Sequence, residues 1–114
     1  MKIERFEDII SWQKSRNLSI IIYSLLKNNH DLGFKDQIQR AVISISNNIA
    51  EGYERRSNKE FKQFLYIAKG SCGEVRSMLY IALELNYISR TEFEQTYNLG
   101  IEISKLISGL IRTL

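Results

Sequence analysis

Hydrophobic residues recur at helical spacing along almost the whole chain, in four stretches separated by short polar links. At 100° per residue, the apolar positions of each stretch fall on one arc, which is typical of amphipathic helices. Two of the stretches begin with Ser-x-x-Glu, at residues 57–60 and 89–92. This is a capping-box pattern that starts helices. The pattern predicts helices over about residues 7–27, 34–53, 58–85 and from 90 to near the C-terminus.

Four long helices joined by short turns predict an all-α fold, an antiparallel up-down-up-down four-helix bundle that forms one domain over residues 1–114. The chain contains no proline, which favours long uninterrupted helices. The first and fourth helices are apolar over a wide arc, so we expect them to be buried partly against other subunits. A monomer with a wide core arc is the alternative.

A polar stripe with apolar residues on both flanks runs along the second predicted helix. A solvated face is more often bordered by Lys and Glu, so we expect this stripe to be covered, by another helix or by another subunit. Arg40 and Glu51 have opposite charges and the amides both donate and accept, so the groups could satisfy one another. We interpret the set as a structural polar network, with a polar ligand or substrate site as the alternative. Its members are Gln37, Arg40, Ser44, Asn48, Glu51 and, from the third helix, Glu74.

A row of cations lies opposite the core-facing stripe of the third predicted helix. It contains four cations, one aromatic residue and no carboxylate, and two arginines precede it. Such a row could follow a phosphate backbone while the aromatic ring stacks on a base. The alternative is an ordinary solvated helix face. The candidate nucleic-acid-binding residues are Arg55, Arg56, Lys59, Lys62, Tyr66, Lys69 and Arg76.

Composition adds little to this interpretation. Hydrophobic residues make up 44% of the chain and charged residues 25%, both ordinary for a globular protein. The net charge of +3 is compatible with nucleic acid as a partner but does not identify one. No apolar run approaches the roughly 20 residues of a membrane span. With no paired cysteines and no targeting segment, we expect a cytoplasmic protein with no membrane association.

Candidate chemistry is sparse. Cys72 lies on the core stripe, where we expect it to act as a small hydrophobic residue, and His30 has no Cys or His companion. We therefore expect no metal site and no cofactor. Glycine-rich phosphate loops and nucleophile motifs are absent from the sequence, so we expect no enzymatic activity. The weakest alternative is an active site built from Arg40, Asn48, Glu51 and Glu74.

One long motif in the second and third helices resembles a known family. The motif comprises Gln37-Ile38-Gln39-Arg40-Ala41, Ser44-Ile45 and Asn48-Ile49-Ala50-Glu51-Gly52, extended by Ser57, Glu60-Phe61, Ala68, Gly70-Ser71 and Glu74. It resembles the four-helix-bundle proteins encoded within 23S rRNA intervening sequences, and the resemblance spans nearly the whole chain. The family often has proline where this chain has Ser46, which affects only a local kink.

The resemblance implies a bundle that assembles into a ring, since relatives form pentamers. It also implies similarity to the accessory protein of diversity-generating retroelements, a basic pentamer that binds nucleic acid and a reverse transcriptase. The resulting expectation is a non-enzymatic homopentamer that binds RNA or DNA through its basic face. The alternative is a protein-interaction scaffold, with a polymerase-type protein as its partner and no nucleic-acid binding.

Overall fold

Four α-helices joined by short links make up the protein. The computed structural model describes residues 2–114, and a 3₁₀ turn at Phe6–Asp8 precedes the first helix. The four helices are α1 (Ile10–Leu25), α2 (Leu32–Glu54), α3 (Asn58–Glu84) and α4 (Arg90–Arg112). The predicted all-α fold is confirmed.

The helices pack as an antiparallel up-down-up-down bundle. Each helix contacts its neighbours in sequence, and α4 closes the bundle against α1. The bundle measures 42 × 23 × 19 Å. Its core is a column of aliphatic side chains drawn from all four helices, and Cys72 lies in it. The fully buried residues include Leu18, Ile22, Ile38, Ile45, Ile49, Leu65, Leu79, Ile103 and Ile107.

Serine caps fix the starts of α3 and α4, as the sequence predicts. Ser89 and Glu92 form a complete capping box: the Ser89 hydroxyl accepts from the Glu92 backbone at 3.1 Å, and the Glu92 carboxylate accepts from the Ser89 backbone at 2.8 Å. At α3 only half of the box forms. The Ser57 hydroxyl accepts from the Glu60 N–H at 3.4 Å, while the Glu60 carboxylate turns to Arg55.

The first helix starts later than the spacing predicts, and the second starts earlier. Ile9 is extended, with φ −76° and ψ 119°, and it separates the 3₁₀ turn from α1. The Asp8 carboxylate accepts from the Glu4 N–H at 3.1 Å, a local bond that favours a turn over a continuous helix. At α2 the Asp31 side chain accepts from the Phe34 N–H at 3.2 Å, which places the N-cap before Leu32.

The end of α2 approaches α3 very closely. Gly52 is buried in the last turn of α2, and a β-carbon built there would lie 2.5 Å from Cβ of Phe64 and 3.1 Å from Cδ1 of Phe61. Only glycine fits this approach. Arg56 (φ 61°) and Asn86 (φ 60°), in the links that follow α2 and α3, adopt the left-handed conformation that often ends helices.

Exposed apolar side chains are concentrated on α1 and α3. Ile20 is 63% exposed on α1, and Ile67 (53%), Ile81 (48%) and Leu85 (50%) line the outside of α3 and the link after it. On α4 the large hydrophobic side chains are buried or half-buried, because α4 packs against both α1 and α3. Half-buried Leu106 and Leu110 line a shallow depression beside the start of α1. Within residues 2–114, no helix combines the length and apolar character needed to cross a membrane.

Candidate functional site

The basic row is defined as Arg55, Arg56, Lys59, Lys62, Tyr66, Lys69 and Arg76, and its five members on α3 follow the flank of that helix that borders α4. Lys59 and Tyr66 are exposed, whereas Lys62, Lys69 and Arg76 are half-buried. The last three recur every seven residues, which places them on one side of α3 at intervals of about 10 Å. The row therefore borders a groove between two helices, rather than the outermost face of α3.

A depression lies where α3 begins and α4 ends. It is shallow, with a volume of about 400 Å³, and Lys59, Lys62 and Tyr66 line it together with Asn58 and with Leu114 at the end of the chain. The Tyr66 side chain is 57% exposed. Its ring is accessible for stacking, and two ammonium groups lie in the same depression.

Most cations of the row lack an acidic partner. Among residues 2–114, no carboxylate lies within 4.0 Å of the charged nitrogens of Lys59, Lys62, Lys69 or Arg76. The row therefore presents uncompensated positive charge.

The two arginines that precede α3 are placed differently from the rest of the row. Arg55 pairs with Glu60 at 3.5 Å, and its guanidinium lies 5.0 Å from the centroid of the Phe64 ring. Arg56 lies 5.9 Å from the centroid of the Tyr53 ring. Arg55 is thus partly neutralised, and both guanidinium groups already rest on aromatic rings.

The polar stripe of α2 meets α3 along a hydrogen-bonded seam. Gln37 donates to Glu74 at 3.3 Å, and the hydroxyls of Ser44 and Ser71 are 2.9 Å apart. The Asn48 amide donates to the backbone oxygen of Ser44 at 2.7 Å and to its hydroxyl at 2.9 Å. Ser71 belongs to the seam although the sequence pattern did not single it out. The structure thus brings together four of the six residues of the predicted network.

The other two members of the network lie apart. Arg40 is 80% exposed and bonds to Asp36 at 2.8 Å, one turn earlier on α2. The expected pairing of Arg40 with Glu51 is wrong, because eleven residues of helix separate them by about 16 Å. Glu51 is exposed and lines a shallow depression with Asn47 and Glu54.

The residues of the catalytic alternative do not converge. Arg40 bonds to Asp36, Asn48 to Ser44 and Glu74 to Gln37, while Glu51 faces a separate depression.

Further along the groove, α4 contributes residues that the sequence interpretation missed. Tyr97 of α4 packs edge-on against Tyr80 of α3, with ring centroids 5.2 Å apart, and stacks on Phe93 at 5.3 Å. Gly100 lies against the stem of Arg76: a β-carbon on Gly100 would be 3.0 Å from Cγ of Arg76. Tyr80 follows Arg76 by four residues, so the helical period that gave the row could have included it. Nothing in the sequence alone indicates the register of α4 against α3.

The Tyr80 and Tyr97 side chains affect each other's pKa. Interaction with Tyr80, and then with Arg76, lowers the pKa of Tyr97. Interaction with Tyr97 raises the pKa of Tyr80. Beneath them, burial raises the pKa of the Cys72 thiol, whose sulfur donates to the backbone oxygen of Gly100 at 3.2 Å.

Comparison with known proteins gives one family and a similar solved structure. The family model for the 23S rRNA-intervening sequence protein matches residues 7–109. A crystal structure of a protein of unknown function from the S23 ribosomal protein family of Bacteroides thetaiotaomicron is 29% identical. The match covers 90% of this chain and 98% of that one, with a TM-score of 0.83. No curated protein matches the chain.

Proposed function

The chain belongs to the 23S rRNA-intervening sequence protein family, and from this premise we propose that it is a non-enzymatic protein that binds RNA or DNA through the basic row and assembles into a homopentameric ring. The observation that carries the proposal is the uncompensated charge along one flank of α3. Lys59, Lys62, Lys69 and Arg76 have no carboxylate within 4.0 Å among residues 2–114. An ordinary solvated face would intersperse acids among these cations.

Binding would be dominated by phosphate contacts. Each cation that neutralises a phosphate releases condensed counterions, so affinity falls as salt rises. Tyr66 adds a stacking surface that tolerates any base. A net charge of +3 per chain becomes +15 in a pentamer, five times three, and repetition of a weak site around a ring raises its affinity through avidity.

Exposed apolar side chains support the assembly. Ile20 on α1 and Ile67 and Ile81 on α3 are each about half exposed or more in the single chain, and association would remove them from water. Native mass spectrometry of protein purified without nuclease, with the 260/280 nm absorbance ratio measured on the same sample, tests both parts. A pentamer carrying nucleic acid supports the proposal, and a bare monomer contradicts it.

The binding site itself is tested by fluorescence anisotropy with single-stranded RNA and DNA at several salt concentrations. Four cations on four phosphates predict a slope of log K against log salt of about −3 per chain, since each contact contributes about −0.7. The triple variant Lys59→Glu, Lys62→Glu, Lys69→Glu should lose binding.

A matched control distinguishes binding through the basic row from a general effect of net charge. The variant Lys27→Glu, Arg40→Glu, Arg90→Glu reverses three exposed cations toward the opposite end of the bundle. Both triple variants change the net charge from +3 to −3, because each reversal removes two charges. The control should retain measurable binding. Equal loss in both variants, or a flat salt response in the unmodified chain, contradicts binding through the basic row.

A protein-interaction scaffold is the second candidate. Tyr66, 57% exposed, lies within the basic row, and such a mixture of aromatic and cationic side chains also suits an acidic protein surface, for example that of a cytoplasmic polymerase. A pull-down after nuclease treatment distinguishes the two functions. Recovery of one protein, lost in the Lys59, Lys62 and Lys69 variant, favours the scaffold.

A further inference from the structure

Arg76 occupies an unusual position in the groove between α3 and α4. Its aliphatic stem lies against Gly100 of α4, where an added β-carbon would be 3.0 Å from Cγ and 3.4 Å from Cδ of Arg76. A β-carbon on Gly73 would approach Nη2 of Arg76 to 3.8 Å. The lack of a side chain at Gly73 and Gly100 therefore leaves room for Arg76 to lie along the groove.

The guanidinium has unused donors. Its Nε is buried and has no hydrogen-bond partner among residues 2–114, and no carboxylate in the same range lies within 4.0 Å of it. A buried donor without a partner is costly. Arg76 as a whole is only half-buried, so its remaining exposure lies on atoms other than Nε. Part of the Arg76 side chain thus stays accessible from the groove.

Two tyrosine side chains lie beside Arg76. Tyr80 is 50% exposed and Tyr97 half-buried, with ring centroids 5.2 Å apart. Tyr80 follows Arg76 by about one turn of α3, and Tyr97 lies less than one turn of α4 before Gly100, which contacts the Arg76 stem. Interaction with Tyr80, and then with Arg76, lowers the pKa of Tyr97. Phe93 supports both rings from below, at centroid distances of 5.1 and 5.3 Å. The cluster is therefore held in place by packing on α4.

We propose that Arg76, Tyr80 and Tyr97 form a discrete site for one phosphate group, and that this site holds a phosphodiester of the bound strand. The inference rests on the proposed function and adds to it a defined contact point, two residues of α3 and α4 outside the basic row, and the chemical class of the group bound. The ammonium groups of the row act as diffuse point charges, whereas this site fixes the strand in position.

A phosphate oxyanion fits these donors. A guanidinium presents planar paired N–H groups that match two oxygens of a phosphate, and hydroxyls can donate to a third oxygen. Such charge-assisted bonds are about twice as strong as neutral ones. Tyr80 also exposes a ring face on which a base next to the bound phosphate can stack.

The test follows the arginine Nε–Hε NMR signals of the unmodified chain at constant ionic strength. The burial of Nε in Arg76 protects its proton, so the signal is observable. The two titrants are inorganic phosphate and a thymidine dinucleotide with one phosphodiester. We expect the dinucleotide to shift the Arg76 signal saturably and to leave Arg90, which pairs with Glu94 on the exposed face of α4, unshifted.

Variants test the donors one at a time. Arg76→Gln and Tyr97→Phe should each weaken dinucleotide binding about tenfold or more, the loss expected for a hydrogen bond to a charged group. Arg90→Gln should leave it unchanged. Far-UV circular dichroism checks that each variant folds, and the titration of the unmodified chain remains decisive if one does not.

Three results overturn the proposal. One is the absence of a saturable shift of the Arg76 signal, and the second is an equal shift of Arg90. The third is a response to inorganic phosphate alone, which would mean that the site takes the free ion and not a strand.

The proposed function can fail separately. One outcome is that the Lys59, Lys62 and Lys69 variant loses oligonucleotide binding while the Arg76 signal of the unmodified chain does not respond. This outcome supports binding through the basic row and contradicts the phosphate site. A saturable Arg76 response to the dinucleotide, with no salt-dependent binding of longer strands, supports the site and contradicts the function proposed for the row.

Discussion

Replacement of Gly52 by alanine should destabilise the protein, although alanine favours helices. The added β-carbon would lie 2.5 Å from Cβ of Phe64 and 3.1 Å from Cδ1 of Phe61. Carbon atoms in contact are ordinarily about 3.5–4.0 Å apart, so the closer pair must separate by about 1 Å. Both atoms of that pair are β-carbons attached directly to backbone, so no rotamer change relieves the clash. The helices α2 and α3 must move apart.

The free-energy cost of overpacking at Gly52→Ala should exceed the stability gained from the higher helix propensity of alanine. Overpacking of a well-packed core costs about 1–3 kcal/mol, and the forced separation of two backbones belongs at the upper end. Alanine in place of glycine inside a helix stabilises the helix by about 1 kcal/mol. The net destabilisation of Gly52→Ala is therefore about 2 kcal/mol, and the melting temperature of a chain of this size should fall by about 8 °C.

Gly70→Ala is the matched control. Gly70 also lies inside a helix, but it is exposed and no atom lies within 4 Å of its built β-carbon. Gly70→Ala should therefore stabilise the protein by about 0.5–1 kcal/mol.

Urea unfolding followed by circular dichroism at 222 nm measures both changes. Protein concentration is held fixed, because association would add to the apparent stability. Opposite signs for the two variants support the close approach of α2 and α3. If Gly52→Ala stabilised the protein as much as Gly70→Ala, the argument from the 2.5 Å contact would be refuted.

The remaining predictions concern local contacts. The hydrogen bond from Tyr87, and then that from the Phe34 backbone, hold the pKa of Asp31 below its usual value, and the bond to Asp31 raises the pKa of Tyr87. An acid whose pKa is lowered by folding contributes stability that is lost as pH falls through the lowered pKa. A phenol whose pKa is raised by folding contributes stability that is lost as pH rises through the raised pKa. The contact should thus stabilise the fold between roughly pH 4 and pH 10. Tyr87→Phe should raise the pKa of Asp31, measured by NMR of its carboxyl carbon, and an unchanged value would contradict this account. Asn86→Gly should stabilise the protein by up to about 1 kcal/mol in urea unfolding, because glycine adopts φ 60° without strain; a loss of stability would show that the Asn86 side chain contributes more than the strain. In a double-mutant cycle, Ser44→Ala and Ser71→Ala should show a coupling of about 0.5–1 kcal/mol, and additive effects would mean that their 2.9 Å contact contributes nothing.

The helices were predictable because their signals are local. The capping serines at positions 57 and 89 and the apolar period lie within single segments, and the structure reproduces both starts. The start of α1 was not predictable from period alone, since the bond from the Glu4 backbone to Asp8 competes with the helix. The partner of Arg40 was predicted wrongly although the signal for the correct partner is local. Asp36 lies four residues away from Arg40 at standard helical spacing, and that local pair could have been preferred.

The candidate site was predictable only on one helix. The cations of α3 follow from the helical period, whereas the contacts of Arg76 with Gly100 and of Tyr80 with Tyr97 depend on how α4 is aligned against α3. That alignment arises from packing of side chains far apart in sequence. Ser71 was missed for the same reason, because its bond to Ser44 spans α2 and α3.

The order in which the helices contact one another also bears on how the chain reaches its native state. Each helix packs on the next in sequence, and among the four α-helices only α4 and α1 are in contact without being consecutive. Topologies dominated by contacts close in sequence fold on microsecond to millisecond timescales. Because the chain contains no proline, the slow isomerisation that delays refolding of many proteins has no source here. Each helix after the first therefore finds its predecessor already synthesised, and folding of the single chain can follow its synthesis closely.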